Sequence, residues 1–527
     1  MLRPLHTSLM AARMILVLCL ACVGAGAPAA APKGEVAWLP AATEADVDRA
    51  FAQARAEAKP LLLYWGAQWC PPCNQLKATL FNRQDFIDRS RAFVPVVVDG
   101  DLPGAQKLGA RFKVRGYPTM ILFNPEGSEL TRLPGEVDAP QVMQVLQLGL
   151  AGGRPVKAVL ADARAGKPLT PNEWRLLAYY AWDTDEAQLV PPAERAGLLA
   201  ALAAACPSPE AESATRLWLK ALAASDEGQG VRADPALRER VMKVLADPTA
   251  ARAQMDVLTN SAPEITRAVT TKEAGGQRAA VLSAYHRALQ RLEQDPTLSR
   301  ADRMGALIAQ IDLARIDLPK EAKHVKLLSA LLKDVRDQVA RADREITDGY
   351  ERQAVITAGA YALGQAGLGA EADALLKANL TRSHSPYYLM SALASNARER
   401  GDKAEALHWY EKAFNRSEGP ATRLQWGAGY VSALVDLAPG DAARIERAAS
   451  QVMREASGQP DAFYERSARS LQRVGRKLQA WNAGGAHADV LGRLQAQLEK
   501  VCAQLPAVDA QRATCDALLH GAKAEPA

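Results

Sequence analysis

Cys70 and Cys73, in the run Trp69-Cys70-Pro71-Pro72-Cys73, are the side chains of this sequence best placed to do chemistry. Two cysteines separated by two residues can close a disulfide when the second stands one helical turn beyond the first. At the start of a helix the first sulfur meets free backbone N–H groups and the positive end of the helix dipole. That environment favours thiolate, the form that attacks disulfides. Proline suits a first helical turn, where its missing N–H costs nothing, and its locked φ limits how the loop relaxes between redox states. Zinc would need a further Cys or His pair at suitable spacing, and the seven histidines are scattered, so no metal is expected. A purely structural disulfide would need neither the flanking Trp69 nor a second proline. No cofactor is implied.

Around this pair the other cysteines divide by position. The N-terminus has the three parts of a secretory leader: Arg3, His6 and Arg13, then the apolar run from Met14 to Val23, then small residues. A signal peptide is expected over 1–31, and Cys19 and Cys22 leave with it. The apolar run is shorter than the ~20 residues a spanning helix prefers, so a membrane is reached only if the leader stays uncleaved. In the exported chain disulfides persist. Cys502 and Cys515, close in sequence, are expected to form a structural disulfide between two short helices. Cys206, in an Ala-rich stretch, reads as a small packed apolar residue. The formal charge is +5, or +3 without Arg3 and Arg13, and basic residues alternate with acidic ones. Nothing in that balance calls for nucleic acid.

The elements that must hold the pair fall between residues 36 and 150. Ala42 to Ala58 reads as an amphipathic helix with Val47, Ala50, Phe51 and Ala54 on one face, broken by Lys59-Pro60. Leu61 to Trp65 and Phe93 to Asp99 read as buried strands around the CxxC helix. A helix over Pro103 to Phe112 follows. Strands Thr119 to Phe123 and Glu129 to Leu133 then flank the turn at Asn124-Pro-Glu-Gly127, and a helix from about Pro140 to Leu150 closes the unit.

Ala151-Gly-Gly-Arg-Pro155 marks the expected boundary, beyond which strand signals vanish. Helical hairpins are expected over 156–350, and repeats of tetratricopeptide type with C-terminal helices over 351–527. Gly367-Leu-Gly-Ala-Glu-Ala-Asp-Ala-Leu-Leu376 aligns with Gly401-Asp-Lys-Ala-Glu-Ala-Leu-His-Trp-Tyr410 at an offset of 34 residues. Gly401, Ala406, Leu407, Tyr410 and Ala413 stand where such a repeat wants its turn glycine, small crossing residue and packing residues. The first copy is weaker, with Asp373 and Asn379 in place of Leu407 and Ala413.

Residues 36–150 resemble the thioredoxin superfamily, with two separated motifs, Trp69 to Cys73 and Val114-Arg115-Gly116-Tyr117-Pro118-Thr119, agreeing with one fold. The stretch from Lys59 to Cys70 is similar to the exported branch, including the thioredoxin-like domain of bacterial transmembrane thiol reductases. The resemblance implies an α/β thioredoxin fold, which the spacing and repeat beyond residue 155 extend with a large all-α, TPR-like helical-repeat region. It implies that Cys70 is the attacking thiolate, Cys73 the buried resolving thiol and Pro118 a cis-proline facing them. Tyr117 would offer its backbone to a substrate strand, and Trp69 would form an exposed rim beside the sulfur. Tyr64 stands where thioredoxins keep a buried Asp, that acid's lysine partner has no counterpart in Phe93 to Asp99, and Asn74 replaces the lysine that usually follows the second cysteine. Glu126, Asp99 and water remain as acceptors for the Cys73 proton.

The function implied is a periplasmic thiol–disulfide oxidoreductase, reducing as exported relatives with proline before the second cysteine often do. Its partners would be protein thiols and disulfides of clients, docked by the helical repeats, with an upstream thiol reductase as electron donor. Two alternatives stand beside it: a repeat-built adaptor whose thioredoxin-like domain serves for docking, and a disulfide isomerase or oxidant.

Overall fold

Five short strands form the only sheet among the described residues of the computed structural model, which describes residues 34–135, 138–185, 188–225, 230–231, 234–272, 275–318 and 327–519. The expected leader, with Cys19 and Cys22, lies outside the described residues. The strands are β1 (Leu39–Pro40), β2 (Leu61–Gly66), β3 (Val94–Asp99), β4 (Thr119–Phe123) and β5 (Glu129–Leu133), in the order β1-β3-β2-β4-β5. β1, β3 and β2 are parallel; β4 runs antiparallel to β2, and β5 to β4. Every residue of β2 is buried because strands flank it and other elements cover its faces, which explains its unbroken apolar run. β3 instead alternates buried and half-buried positions. β1 is too short to carry a period and has no counterpart in the sequence reading.

Five helices complete this part: α1 (Glu44–Ala56), α2 (Pro71–Thr79), α3 (Gln84–Arg89), α4 (Ala105–Phe112) and α5 (Ala139–Leu150). Thr43 and Asp46 cap α1 reciprocally, the Asp46 N–H donating to Thr43 Oγ1 at 3.3 Å and the Thr43 N–H to Asp46 Oδ2 at 2.9 Å. The helix buries Val47, Ala50, Phe51 and Ala54, the face its spacing predicts. α3, only six residues long, is too short for its period to show in the sequence.

From Val156 onward every regular element described is helical. The chain is partly exposed across 151–155, yet the hydrophobic core does not stop there. Leu62, Met120, Leu122 and Val145 belong to the same buried cluster as Trp174, Tyr180, Trp182 and Leu199. At the free edge of β5 the Ala181 N–H donates to the Arg132 carbonyl at 3.1 Å. Arg132 itself is buried, donating to Glu129 Oε1 at 2.9 Å and to the Phe112 carbonyl at 2.7 Å.

Further along, helices Pro386–Arg400 and Lys403–Arg416 form a hairpin turned at Gly401, whose φ of 84° suits glycine. Ala406, Leu407 and Ala413 are buried in it. In the preceding hairpin, Gly349–Gln365 with Gly369–Asn379, the polar residues that weaken the sequence repeat are themselves buried and paired. Asn379 Oδ1 accepts from Arg352 Nε at 2.9 Å, and Asn379 Nδ2 donates to Asp343 Oδ1 at 3.1 Å. Asp373 accepts from the Asn396 amide at 2.7 Å and pairs with Arg400 at 2.8 Å.

Near the C-terminus Cys502 and Cys515 are joined by a disulfide, with Cα atoms 5.6 Å apart and a sequence separation of 13. Closing a loop of that length stabilises by about 3 kcal/mol in the chain-entropy account. Cys206 is a free, half-buried thiol, pushed up to about 11 by burial and by nearby Glu210. Among the described residues no helix is long and apolar enough to cross a membrane.

Candidate active site

The C-terminal end of β2 delivers the chain through Ala67-Gln68-Trp69 to the start of α2. Cys70 is the N-cap of α2, and its sulfur accepts the Cys73 N–H at 3.2 Å. Pro71 and Pro72 occupy the next two positions, where an N–H would have no helical partner. Cys70 and Cys73 are joined by a disulfide with Cα atoms 5.3 Å apart. Both are buried, Cys70 at 2% and Cys73 at 0% exposure. Asn74 braces the loop from behind: its Nδ2 donates to the carbonyls of Gln68 and Cys70, each at 2.8 Å. The sequence reading takes Asn74 only as a missing lysine. A buried amide in the first turn can reach back four and six residues, and that is its use here.

The second motif meets the first at the same end of the sheet. The Tyr117–Pro118 peptide bond is cis. Tyr117 packs on the small cluster of Ala67, Cys70 and Cys73, and its hydroxyl accepts from Gln106 Nε2 at 3.1 Å. Gly135 makes room for the proline ring, since a Cβ there would stand 2.9 Å from Pro118 Cγ.

Trp69 is not the open rim that the resemblance implies. Its indole N–H donates to Thr422 Oγ1 at 2.8 Å and to Asp101 Oδ2 at 3.1 Å. Its ring stacks on Tyr388 at 5.8 Å and meets the Trp426 edge at 5.1 Å. The Arg466 guanidinium lies over both Trp69, at 5.3 Å, and Tyr117, at 5.1 Å, while pairing with Asp101. Thr422 also donates to Asp101 Oδ1 at 2.5 Å. Helices Pro420–Leu437 and Glu465–Trp481 thus grip the loop beside the cysteines. Next to them, the Gln106 N–H donates to Asp461 Oδ2 at 2.7 Å, and Gln106 Oε1 accepts the Arg466 N–H at 3.0 Å. Helix Gly349–Gln365 lies against α2, and Gln353 donates to the Trp69 carbonyl at 3.4 Å.

Of the acceptors considered for the Cys73 proton, Glu126 is at the wrong end. It stands in the β4–β5 turn, beside Phe123, which pairs with Leu61 at the start of β2, whereas the cysteines follow Gly66 at its end. Asp99 pairs in register with Gly66 and so lies at the cysteine end. Burial holds its carboxyl above the ordinary range, and its Oδ1 accepts the Asp101 N–H at 3.0 Å. Burial likewise lowers Lys77 and raises Tyr64 and Tyr117.

A Cys-Pro-Pro-Cys disulfide at a helix N-terminus and a cis-proline thus stand together at one end of a five-stranded mixed sheet. Residues 47–149 match the model of a thioredoxin-like domain. The chain carries a thioredoxin-like domain followed by a large helical region. Its thioredoxin-like domain is 34% identical over 107 residues to the thiol:disulfide interchange protein DsbD 2 of Pseudomonas aeruginosa, an alignment covering 20% of this chain and 18% of that one. It is 33% identical over 119 residues to the thiol:disulfide interchange protein DsbD of Cronobacter sakazakii, covering 22% of this chain and 20% of the relative. The DsbD of Pseudomonas fluorescens is 33% identical over 104 residues, with 19% and 18% covered. The chain therefore spans about a fifth of the length of these relatives.

Proposed function

We propose that the protein is a periplasmic thiol–disulfide oxidoreductase that reduces protein disulfides through Cys70 and Cys73. The observation that carries this reading is Cys70 at the N-cap of α2, its sulfur facing the Cys73 N–H, where a thiolate is stabilised. In the reduced state the Cys70 thiolate attacks one sulfur of a client disulfide and releases the other as a client thiolate. Cys73 then gives up its proton and attacks Cys70. The second client thiolate leaves, and the Cys70–Cys73 disulfide forms. Two electrons pass to the client, and an upstream thiol reductase returns them by the same exchange in reverse. The names of the relatives, thiol:disulfide interchange proteins, support this chemistry.

Pro118 and the Tyr117 backbone are the proposed client-strand contacts, with Trp69 alongside. The helical region, read as TPR-like repeats, docks the client. A cavity of about 600 Å³ supports that role: it opens between Pro71 and Pro72 on one side and Ala358, Tyr361 and Tyr388 of the helices on the other. Export by the N-terminal leader places the chemistry in the periplasm. The test is the full chain with Cys73→Ala, produced in its host and quenched with acid and alkylating agent. Mixed disulfides through Cys70 are expected, and they should vanish in the Cys70→Ser, Cys73→Ala double variant.

One observation favours a second reading. The pair is buried and Trp69 is held by the helical region, as in an adaptor whose thioredoxin-like domain serves as a docking surface. A Cys70–Cys73 pair that stays oxidised in cells, with no trapped client, would select it.

A further inference from the structure

Tyr64 lies in β2 with its ring fixed between Trp38, at 5.8 Å, and Phe81, at 4.7 Å. Its hydroxyl is buried and has no hydrogen-bond partner among the described residues. Such groups are uncommon and unfavourable, so this one calls for an explanation. The phenol end rests against Gly66. A Cβ at that glycine would stand 2.8 Å from Tyr64 Cζ and 3.4 Å from Cys73 Sγ, so hydroxyl and sulfur flank the same small residue.

The state of the sulfur decides what the hydroxyl can do. In the disulfide seen here Cys73 Sγ is a weak, uncharged acceptor. Reduction turns it into a thiol that must become thiolate to resolve the mixed disulfide, and a thiolate is a strong, charge-assisted acceptor. We propose that Tyr64 donates its hydroxyl hydrogen bond to the Cys73 sulfur when the pair is reduced, stabilising the resolving thiolate. This deepens the proposed dithiol exchange and rests on it. Burial keeps the phenol protonated well above the usual range, so it serves as a donor throughout the working pH range. The charged and titratable groups around it are Asp99 from β3, Tyr350 from helix Gly349–Gln365, and Lys77 of α2, which lies over the Tyr350 ring.

Because the bond exists only in the reduced state, it shifts the pair toward dithiol. Tyr64→Phe keeps the ring and its packing but removes the donor. Full-length wild type and Tyr64→Phe are equilibrated with glutathione redox buffers, and the state of Cys70 and Cys73 is read by alkylation and mass. The variant is expected to favour the disulfide by about three- to tenfold, tenfold being about 30 mV toward more reducing potential. In a Cys70→Ser background, the pH profile of Cys73 alkylation should move to higher pH in the variant. In labelled wild-type protein, the Tyr64 ring resonance should shift on reduction, a readout that does not depend on the variant folding. An unchanged equilibrium and pH profile in folded variant, or an unmoved Tyr64 resonance, overturns the proposal. A wild-type pair that cannot be cycled by thiols at all would instead bring down the exchange reading itself.

Discussion

Trp69 shares its indole N–H between Thr422 and Asp101 while Arg466 covers its face, so the residue beside Cys70 is tied to two side chains more than 300 positions away, Thr422 and Arg466. Access to Cys70, buried at 2% exposure, is expected to depend on how often that grip opens. Thr422→Val removes one of the two acceptors for Trp69 and the donor to Asp101 without changing side-chain size. It is expected to raise the alkylation rate of reduced Cys70 by roughly tenfold, the effect of losing ~1.4 kcal/mol from the closed state. Bulky maleimides of increasing size would show it, and an unchanged rate would mean that Trp69 does not gate the pair. Arg466→Met leaves Asp101 buried without its cation and should destabilise the protein by about 3 kcal/mol in urea unfolding. Cys70 and Cys73 are legible in the sequence from their local spacing, and Pro118 only through the resemblance of its motif to the thioredoxin superfamily. Thr422, Asp461 and Arg466 are not, since two look like ordinary helix residues and Asp461 like an ordinary turn acid until the chain is folded. Asn74 and Tyr64 fall between: their positions relative to Cys70 are visible, but their hydrogen-bonding state is not.

At the level of elements, the period of the side chains foretells α1 and the buried run foretells β2, because each has a face or a length long enough to read. β1, with two residues, and α3, with six, do not. The two hairpins around Gly401 show a different limit. Asp373 and Asn379 look like departures from a repeat, yet they are the buried partners of Arg400, Asn396, Arg352 and Asp343. Asn379→Ala should therefore cost about 1–3 kcal/mol by leaving the Arg352 guanidinium and Asp343 short of a partner, checked by thermal unfolding. Helix Arg300–Ala314 carries a titrating counterpart. Asp312 is raised from 3.8 to about 6, first by burial, against a lowering by Arg315 and with a further raising by Glu264. A raised folded-state pKa means that the folded chain prefers the protonated acid. That contribution is complete below about pH 4 and is lost as pH rises through 6. Asp312→Asn should abolish this loss, gaining about 1–2 kcal/mol over wild type at pH 7 and almost nothing at pH 4. Parallel melting curves of the two proteins at both pH values would contradict it.

Across the whole molecule, sheet and helices are not beads on a string. Trp174, Tyr180 and Trp182 complete the core that begins at Leu62 and Met120, and Ala181 caps the edge of β5. The composition change at 151–155 is visible in the sequence, but the shared core is not, because it depends on which face of each helix turns toward the sheet. A chain cut after residue 150 loses three large buried aromatics, each worth about 3–5 kcal/mol on removal, and is expected to be insoluble or unfolded, while the full chain is not. The same continuity brings the helical region against Trp69, beside Cys70 and Cys73. The most direct test of the central claim is the rate at which dithiothreitol reduces a model protein disulfide in the presence of the full chain, wild type against Cys70→Ser. The account predicts a catalysed rate with wild type that falls to background in the variant. Equal rates for the two proteins would contradict it.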